Sequence, residues 1–383
     1  MKTILTLSHT DYTQSVGGTE KVILEQNALY RDAGYDTVHL CPLSNSIKIK
    51  GRTAYSFKTG YRVIKNNECV LDNVCFANVV EFLQNEDVCQ IFIHMLTGFD
   101  FGDVINLLNT YSGVKTIFYI HDYKTVCTGQ VLLKNKNYYC GDDGRFFRKC
   151  WNCRFYWEGI GLFKNCLKLV NRYPNIIYVF PSEAARSIWS KNYRSVGRER
   201  LLVIPHQVMT GKEMIPEHRN DKLRIAYVGY KSFNKGWSAF RELVMFDETY
   251  NNEYYVLGKT DEQLPDVKVI PVSFIDEGPD AMVKALASNK IDVALLWSTW
   301  PETYSYTFYE SYVAGCYIIT NVNSGNIAVA TQKLKCGIAL PSIRELKQYV
   351  ISGQLMADVK GDVLPRKSKL DINKTMMLDL INA

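Results

Sequence analysis

Short apolar runs alternate along this chain with stretches whose apolar residues recur every three or four positions. Ile4–Leu7, Thr37–Cys41, Gln90–His94, Thr116–Ile120 and Ile176–Phe180 have the length and branched or aromatic content of buried strands. Thr19–Asp32 sets Val22, Ile23, Gln26 and Leu29 at helical spacing, and Ser182–Lys191 is a second helix candidate. After Leu202–Pro205 the polar stretch Val208–Asn220 reads as a linker, and then the pattern restarts. Arg224–Val228, Glu253–Leu257, Val267–Pro271, Asp292–Leu296 and Tyr317–Thr320 are strand-like. Gly236–Met245, Pro279–Ser288, Tyr304–Ala314 and Ile343–Ser352 have helical spacing. Strands alternating with helices predict parallel sheets covered on both faces. The expected fold is α/β, with two Rossmann-like parallel-sheet domains facing an interdomain cleft. Residues 1–208 form the first, residues 209–365 the second, and 366–383 a C-terminal helix packing back on the first. Ligands in such sheets bind beyond the carboxyl ends of the strands.

Composition narrows the function classes. The 383 residues are 47% hydrophobic and 22% charged, ordinary for globular domains with cores of their own. A net charge of +6 suits an acidic ligand or an anionic membrane surface and is too weak to argue for nucleic acid. No run approaches the roughly 18–20 apolar residues that span a bilayer. The opening MKTILTLSHTD lacks the apolar core and cleavage site of a secretory signal and reads as a first strand, so the expected location is the cytoplasm. The 11 cysteines then read mostly as buried thiols, among them Cys41 and Cys316.

Candidate chemistry concentrates at strand ends. Glu302 and Glu310 follow the strand Asp292–Leu296, eight positions apart. On a helix that spacing spans ~12 Å, enough for two carboxylates to serve different parts of one extended ligand. Carboxylates suit hydroxyl-rich ligands because each accepts two hydrogen bonds from a diol. The segment Arg224–Gly236 reads strand, turn and helix start, with Gly229, Lys231 and Lys235. A helix N-terminus is an anion site, and a Lys beside it adds a point charge for phosphate. Gly17-Gly18 lies between the first strand and helix, where glycine lets a ligand approach backbone. His121-Asp122 ends the Thr116–Ile120 strand.

Together these blocks resemble glycosyltransferase family 4, whose members are retaining enzymes of GT-B architecture. Pro301–Thr320 is similar to the family's Pro-Glu-x7-Glu block followed by a small residue, a Gly and a strand. Val228-Gly229 through Lys235-Gly236 is similar to its Val-Gly-Arg…Lys-Gly block, Gly17-Gly18-Thr19-Glu20 to its Gly-Gly-x-Glu loop, and His121-Asp122 to its His-Asp. The resemblance implies that Glu310 binds the nucleotide ribose, that Lys235 contacts the donor diphosphate, that Gly17 and Gly18 border it, and that Glu302 and His121 act at the transferred sugar. It departs at Tyr230, where the family has Arg, with Lys231 as the candidate replacement, and at His206-Gln207, where the family has Asn-Gly. The implied reaction takes a nucleotide-sugar donor and a glycan, lipid-linked or protein acceptor in cell-surface glycan synthesis. A nucleotide-sugar epimerase and an inactive binding module are the alternatives on the same fold. No Asp-x-Asp motif follows a strand, and neither Asp142-Asp143 nor Asp100…Asp103 makes a convincing cation site, so catalysis is expected to need no metal or other cofactor.

An insertion at about 127–160 stands apart. Cys127, Cys140, Cys150 and Cys153 are a candidate structural zinc site, the last two forming C-x2-C; free thiols or a disulfide are the other readings. Arg145–Trp157 mixes aromatics with cations. It reads either as a peripheral membrane contact or as packing around the cysteines.

Overall fold

The computed structural model describes all residues except 15–16, 44–45, 50–51, 56–59, 143–149, 218–221, 250 and 383. Its first sheet has eight strands in the order Leu201–Val203, Ile177–Phe180, Lys115–Tyr119, Asp87–Ile93, Lys2–Leu7, Asp36–Leu43, Gly60–Lys65 and Glu68–Val74. Six neighbouring strands run parallel; Gly60–Lys65 pairs antiparallel with the sixth, and Glu68–Val74 antiparallel with Gly60–Lys65. The second sheet is parallel throughout, in the order Val267–Ile270, Asn252–Leu257, Leu223–Val228, Val293–Leu295, Tyr317–Asn321 and Gly337–Leu340. The central strands are buried on both faces, as their largely apolar sequences favour: Lys2–Leu7 is buried from Thr3 onward, and Tyr317–Asn321 throughout. The two parallel-sheet domains expected from the strand–helix alternation are present.

Two segments differ from the sequence reading. Most of the linker Val208–Asn220 belongs to a strand, Gln207–Met214, paired antiparallel with Arg366–Ile372. Correspondingly, residues 366–372 are extended, and the C-terminal helix is Lys374–Asn382 alone. Both strands are polar and partly exposed, so neither shows the apolar run by which buried strands are recognised. Beyond this ribbon the chain returns to the first sheet. The Leu380 carbonyl accepts from Gln90 Nε2 and Lys115 Nζ, both at 3.0 Å, and the Leu380 side chain packs among Ile4, Tyr30, Phe92 and Ile117.

Thr303 joins the two sheet units through two hydrogen bonds. Ser182 caps the helix Glu183–Asn192 by accepting from Ala185 N, and its hydroxyl donates to the Thr303 carbonyl at 2.6 Å. The Thr303 hydroxyl donates to the carbonyl of His121. The carboxyl ends of both sheets therefore meet across one cleft.

Candidate functional site

Glu302 leaves the second sheet after Val293–Leu295 and is clamped by backbone. Its N–H donates to Ser324 O at 3.2 Å, and its carbonyl accepts from Asn326 N at 2.8 Å. Gly325 makes this possible: φ is +64°, and a Cβ there would lie 2.5 Å from the Pro301 carbonyl carbon. The Glu302 residue is 1% exposed, and both carboxylate oxygens accept from Lys235 Nζ, at 2.7 and 2.9 Å. Lys235 in turn is placed by the turn that starts helix Trp237–Phe246. There Gly236 has φ +83°, and a Cβ would strike the Trp297 carbonyl at 2.0 Å.

Lys235 lines a cavity of about 440 Å³ between the two sheet units. The second unit lines it with Gly229, Lys235 and Thr303–Thr307 apart from Ser305, and the first with Gly17–Thr19, His121 and His206. Gly17 precedes helix Gly18–Asp32 with no side-chain cap, so free N–H groups of that helix face the cavity region. Ser15 and Val16, earlier in the same loop, lie outside the described residues. The sequence-predicted Gly17, Gly18, Gly229, Lys235 and His121 are thus brought together, with Glu302 behind Lys235.

His121 sits in a run of buried rings. Its Nε2 lies 2.8 Å from His94 Nδ1, and its ring is 5.3 Å from that of His206. Burial, reinforced by the neighbouring histidines, pushes the His121 pKa well below its ordinary value, so the ring is neutral. The adjacent Asp122 is pushed up to about 6 by burial, against a hydrogen bond from Lys124 N. Sequence reading missed His94 and noted His206 only as a departure, because a lone His in an apolar strand end carries no local signal.

Glu310 lies on helix Tyr306–Val313 and opens to a second, larger cavity of about 1130 Å³ with Lys21, Glu25 and Asp280. Burial pushes its carboxyl up to about 7, with Lys21 opposing and Asp280 adding. Tyr306, on the first turn of the same helix, carries the Lys21 ammonium 4.6 Å from its ring centre. Lys231 does not reach either cavity: Asp261 and Glu262 hold its ammonium at 2.7 and 3.1 Å. It stands apart from the donor-binding role assigned to it by sequence.

The four insertion cysteines are all partly buried. Burial pushes Cys150 up to about 12, with Cys127, Cys140 and Cys153 adding to the shift, so the four share a neighbourhood. Among the described residues no group of three or more His, Cys, Asp or Glu is arranged to hold a metal ion. Asp100 instead caps helix Phe101–Thr110, and Asp103 accepts from Tyr61. Asp143 and Arg145–Lys149 lie outside the described residues. Trp151 and Trp157 are 70% and 80% exposed. Among the described residues no helix is long and apolar enough to cross a membrane.

Comparison with known proteins places the architecture. No family model matches the chain, and no curated protein matches it. Solved structures do. Sucrose-phosphate synthase from Thermosynechococcus elongatus is similar at a TM-score of 0.59 with 12% identity, over 100% of this chain and 94% of that one. HepE of Anabaena, solved with UDP-glucose, gives 0.54 at 12% identity over 99% and 98%. TarM of S. aureus, solved with fondaparinux, α-GlcNAc-glycerol and UDP, gives 0.56 at 9% identity over 100% of both chains. The fold that brings Lys235, Glu302 and His121 to one cleft is the GT-B architecture.

Proposed function

We propose that this protein is a retaining, metal-independent glycosyltransferase that moves a sugar from a nucleotide-diphosphate sugar to a saccharide, glycolipid or glycoprotein acceptor in cell-surface glycan synthesis. One observation carries the reading: across the cavity between the sheet units, the helix N-terminus at Gly17-Gly18 and the neutral His121 of the first unit face Lys235 of the second, with Glu302 buried behind Lys235. Neighbours of the same fold were solved with UDP-glucose and UDP, which supports a nucleotide-sugar donor. The diphosphate lies against Lys235 and the N–H groups at Gly17-Gly18, and Glu310 receives the ribose hydroxyls. The bond between the sugar's anomeric carbon and the leaving phosphate oxygen breaks while the acceptor oxygen bonds on the same face. The acceptor proton passes to the departing phosphate oxygen. Positive charge building on the sugar is met by the Glu302 carboxylate, and His121 orients the sugar hydroxyls. Lys235 and the backbone dipoles stabilise the leaving diphosphate.

Glu310 supplies the test. Ribose hydroxyls donate to its ionised form, so donor affinity should rise with pH through about 7, where burial has placed this carboxyl. Between pH 6 and pH 8 the ionised fraction, and hence affinity, grows by about tenfold. For the free protein the sign is opposite. A carboxyl raised from 4.5 to about 7 contributes its stability below 4.5 and loses it as pH rises to about 7. A thermal-shift panel of UDP, GDP, ADP, TDP and their sugar conjugates should find one base that stabilises the wild type. A ligand at 100 times its Kd adds ~2.7 kcal/mol. Glu310→Gln should remove both that shift and its pH dependence. If no nucleotide moves the melting temperature at any pH, the proposal fails.

The exposed Trp151 and Trp157, beside the exposed cations Arg154, Lys164 and Lys168, support a peripheral contact with an anionic membrane. Flotation with liposomes containing phosphatidylglycerol should carry the wild type upward and leave a Trp151→Ser/Trp157→Ser variant at the bottom. Equal behaviour of the two would remove this part of the proposal.

A further inference from the structure

The cavity that holds Lys235 is poor in positive charge. Lys235 is the only cation among its described lining residues, and both oxygens of Glu302 already hold it. Tyr230 occupies the place beside Gly229, 62% exposed, and Lys231 is tied to Asp261 and Glu262 outside the cavity. A diphosphate bound here brings a negative charge on each phosphate and needs more donors than Lys235 and helix N–H groups provide.

Among the described residues, two side-chain groups in the wall of this cavity have no hydrogen-bond partner. His206 is 3% exposed and lines the cavity, and its Nδ1 is buried without a hydrogen bond. The hydroxyl of Tyr306, another lining residue, is buried and unpartnered as well. Buried polar groups are seldom left unmatched, and two orphans on one cavity point to a ligand that completes them. The His206 ring is held firmly. It packs on His121 at 5.3 Å, on Tyr304 at 4.9 Å and parallel to Tyr306 at 6.0 Å, while its carbonyl accepts from Asn373 N at 3.2 Å. The titratable groups facing it are His121 with His94 behind, Tyr304, Tyr306 and, across the cavity, Lys235. Among these no carboxylate competes for its N–H.

We propose that His206 is a phosphate ligand of the donor site, donating from Nδ1–H to the diphosphate and supplying the contact that a second fixed cation would otherwise make. This rests on the donor-site reading above and adds a residue to it from the segment that joins the two sheet units. Burial keeps the ring neutral, so it hydrogen-bonds without requiring a proton from solution. Position 230 lines the same cavity from the opposite unit, so an arginine there could replace the lost contact.

The test uses the full chain and inorganic pyrophosphate, which has no ribose and so bypasses Glu310. Ring nitrogen NMR on labelled wild type, with the His206 signal assigned by its loss in His206→Gln, should show Nδ1 protonated and hydrogen-bonded at saturation. By calorimetry His206→Phe, which keeps the stacked ring but has no nitrogen, should bind pyrophosphate about tenfold more weakly, the loss of one charge-assisted hydrogen bond. Tyr230→Arg added to His206→Phe should recover that affinity, and His206→Gln alone should retain most of it. Tyr230→Arg alone should strengthen wild-type binding by less than it strengthens that of His206→Phe; an equal gain in both would show that position 230 acts independently of His206 and would overturn the inference. Unchanged His206 ring signals at saturation, or equal affinity of wild type and His206→Phe, would overturn the inference while leaving the donor site intact. Failure of the wild type to bind pyrophosphate at all would overturn the donor site and this inference together. The NMR reading is made on the wild type and stands even where a variant unfolds.

Discussion

Replacing Glu302 by Gln is expected to lower the rate of sugar transfer by about a thousandfold while nucleoside diphosphate binds as well as before, or more tightly. The rate loss follows from where the carboxylate sits. It is buried, its backbone is clamped on both sides by Ser324 and Asn326, and it cannot move to follow charge. A fixed carboxylate in a low-dielectric site stabilises the developing positive charge of the sugar without reorganising. Removal of a comparable preorganised group costs on the order of 10²–10³ in rate. The affinity gain follows from Lys235. In the free protein its ammonium is shared by both Glu302 oxygens, and a diphosphate must compete for it. A neutral amide releases it. Steady-state kinetics beside calorimetric binding would show the split, with kcat falling and Kd constant or lower. A parallel weakening of both would mean that Glu302 serves to hold Lys235 rather than to meet the sugar.

Lys235→Ala should act on both quantities. It removes the fixed charge facing the diphosphate in the ground state and the larger charge of the departing group. We expect kcat/KM to fall by about 10³–10⁴, of which roughly tenfold is binding. The variant should also lose stability, because a carboxylate 2% exposed at its side chain is left with no counter-charge. Breaking buried pairs costs about 3–5 kcal/mol. Lys235 is 32% exposed, and solvent screening brings the expected figure to about 1–3 kcal/mol. The double variant Lys235→Ala/Glu302→Ala should regain that stability in urea unfolding without regaining activity. If it stays as unstable as the single variant, the pair is not what holds this wall of the cavity.

Much of this arrangement is written in local sequence, and the rest is not for identifiable reasons. The parallel strands are legible because strands buried on two faces are mostly apolar and β-branched or aromatic, as at Lys2–Leu7 and Tyr317–Asn321. Gly17, Gly229 and Lys235 are legible because strand ends and helix starts are fixed by backbone chemistry. The ribbon Gln207–Met214 with Arg366–Ile372 is not: its strands are polar, and each finds its partner across more than 150 positions of chain, as Thr210 does in Lys369. The direction of Lys231 is equally hidden, because Asp261 and Glu262 lie on a different loop. His206 illustrates the same limit. Nothing adjacent to it announces that His121, Tyr304 and Tyr306 will surround its ring.

The return of helix Lys374–Asn382 to the first sheet has a consequence for how the molecule is made. In chain topology the second sheet unit is a guest, inserted into a host whose opening strand and closing helix lie at opposite ends of the sequence. During synthesis the guest, contiguous from Leu223 to Val359, can close as soon as it has emerged. The host, begun first, must wait with Ile4, Tyr30 and Phe92 uncovered until Leu380 arrives to bury them.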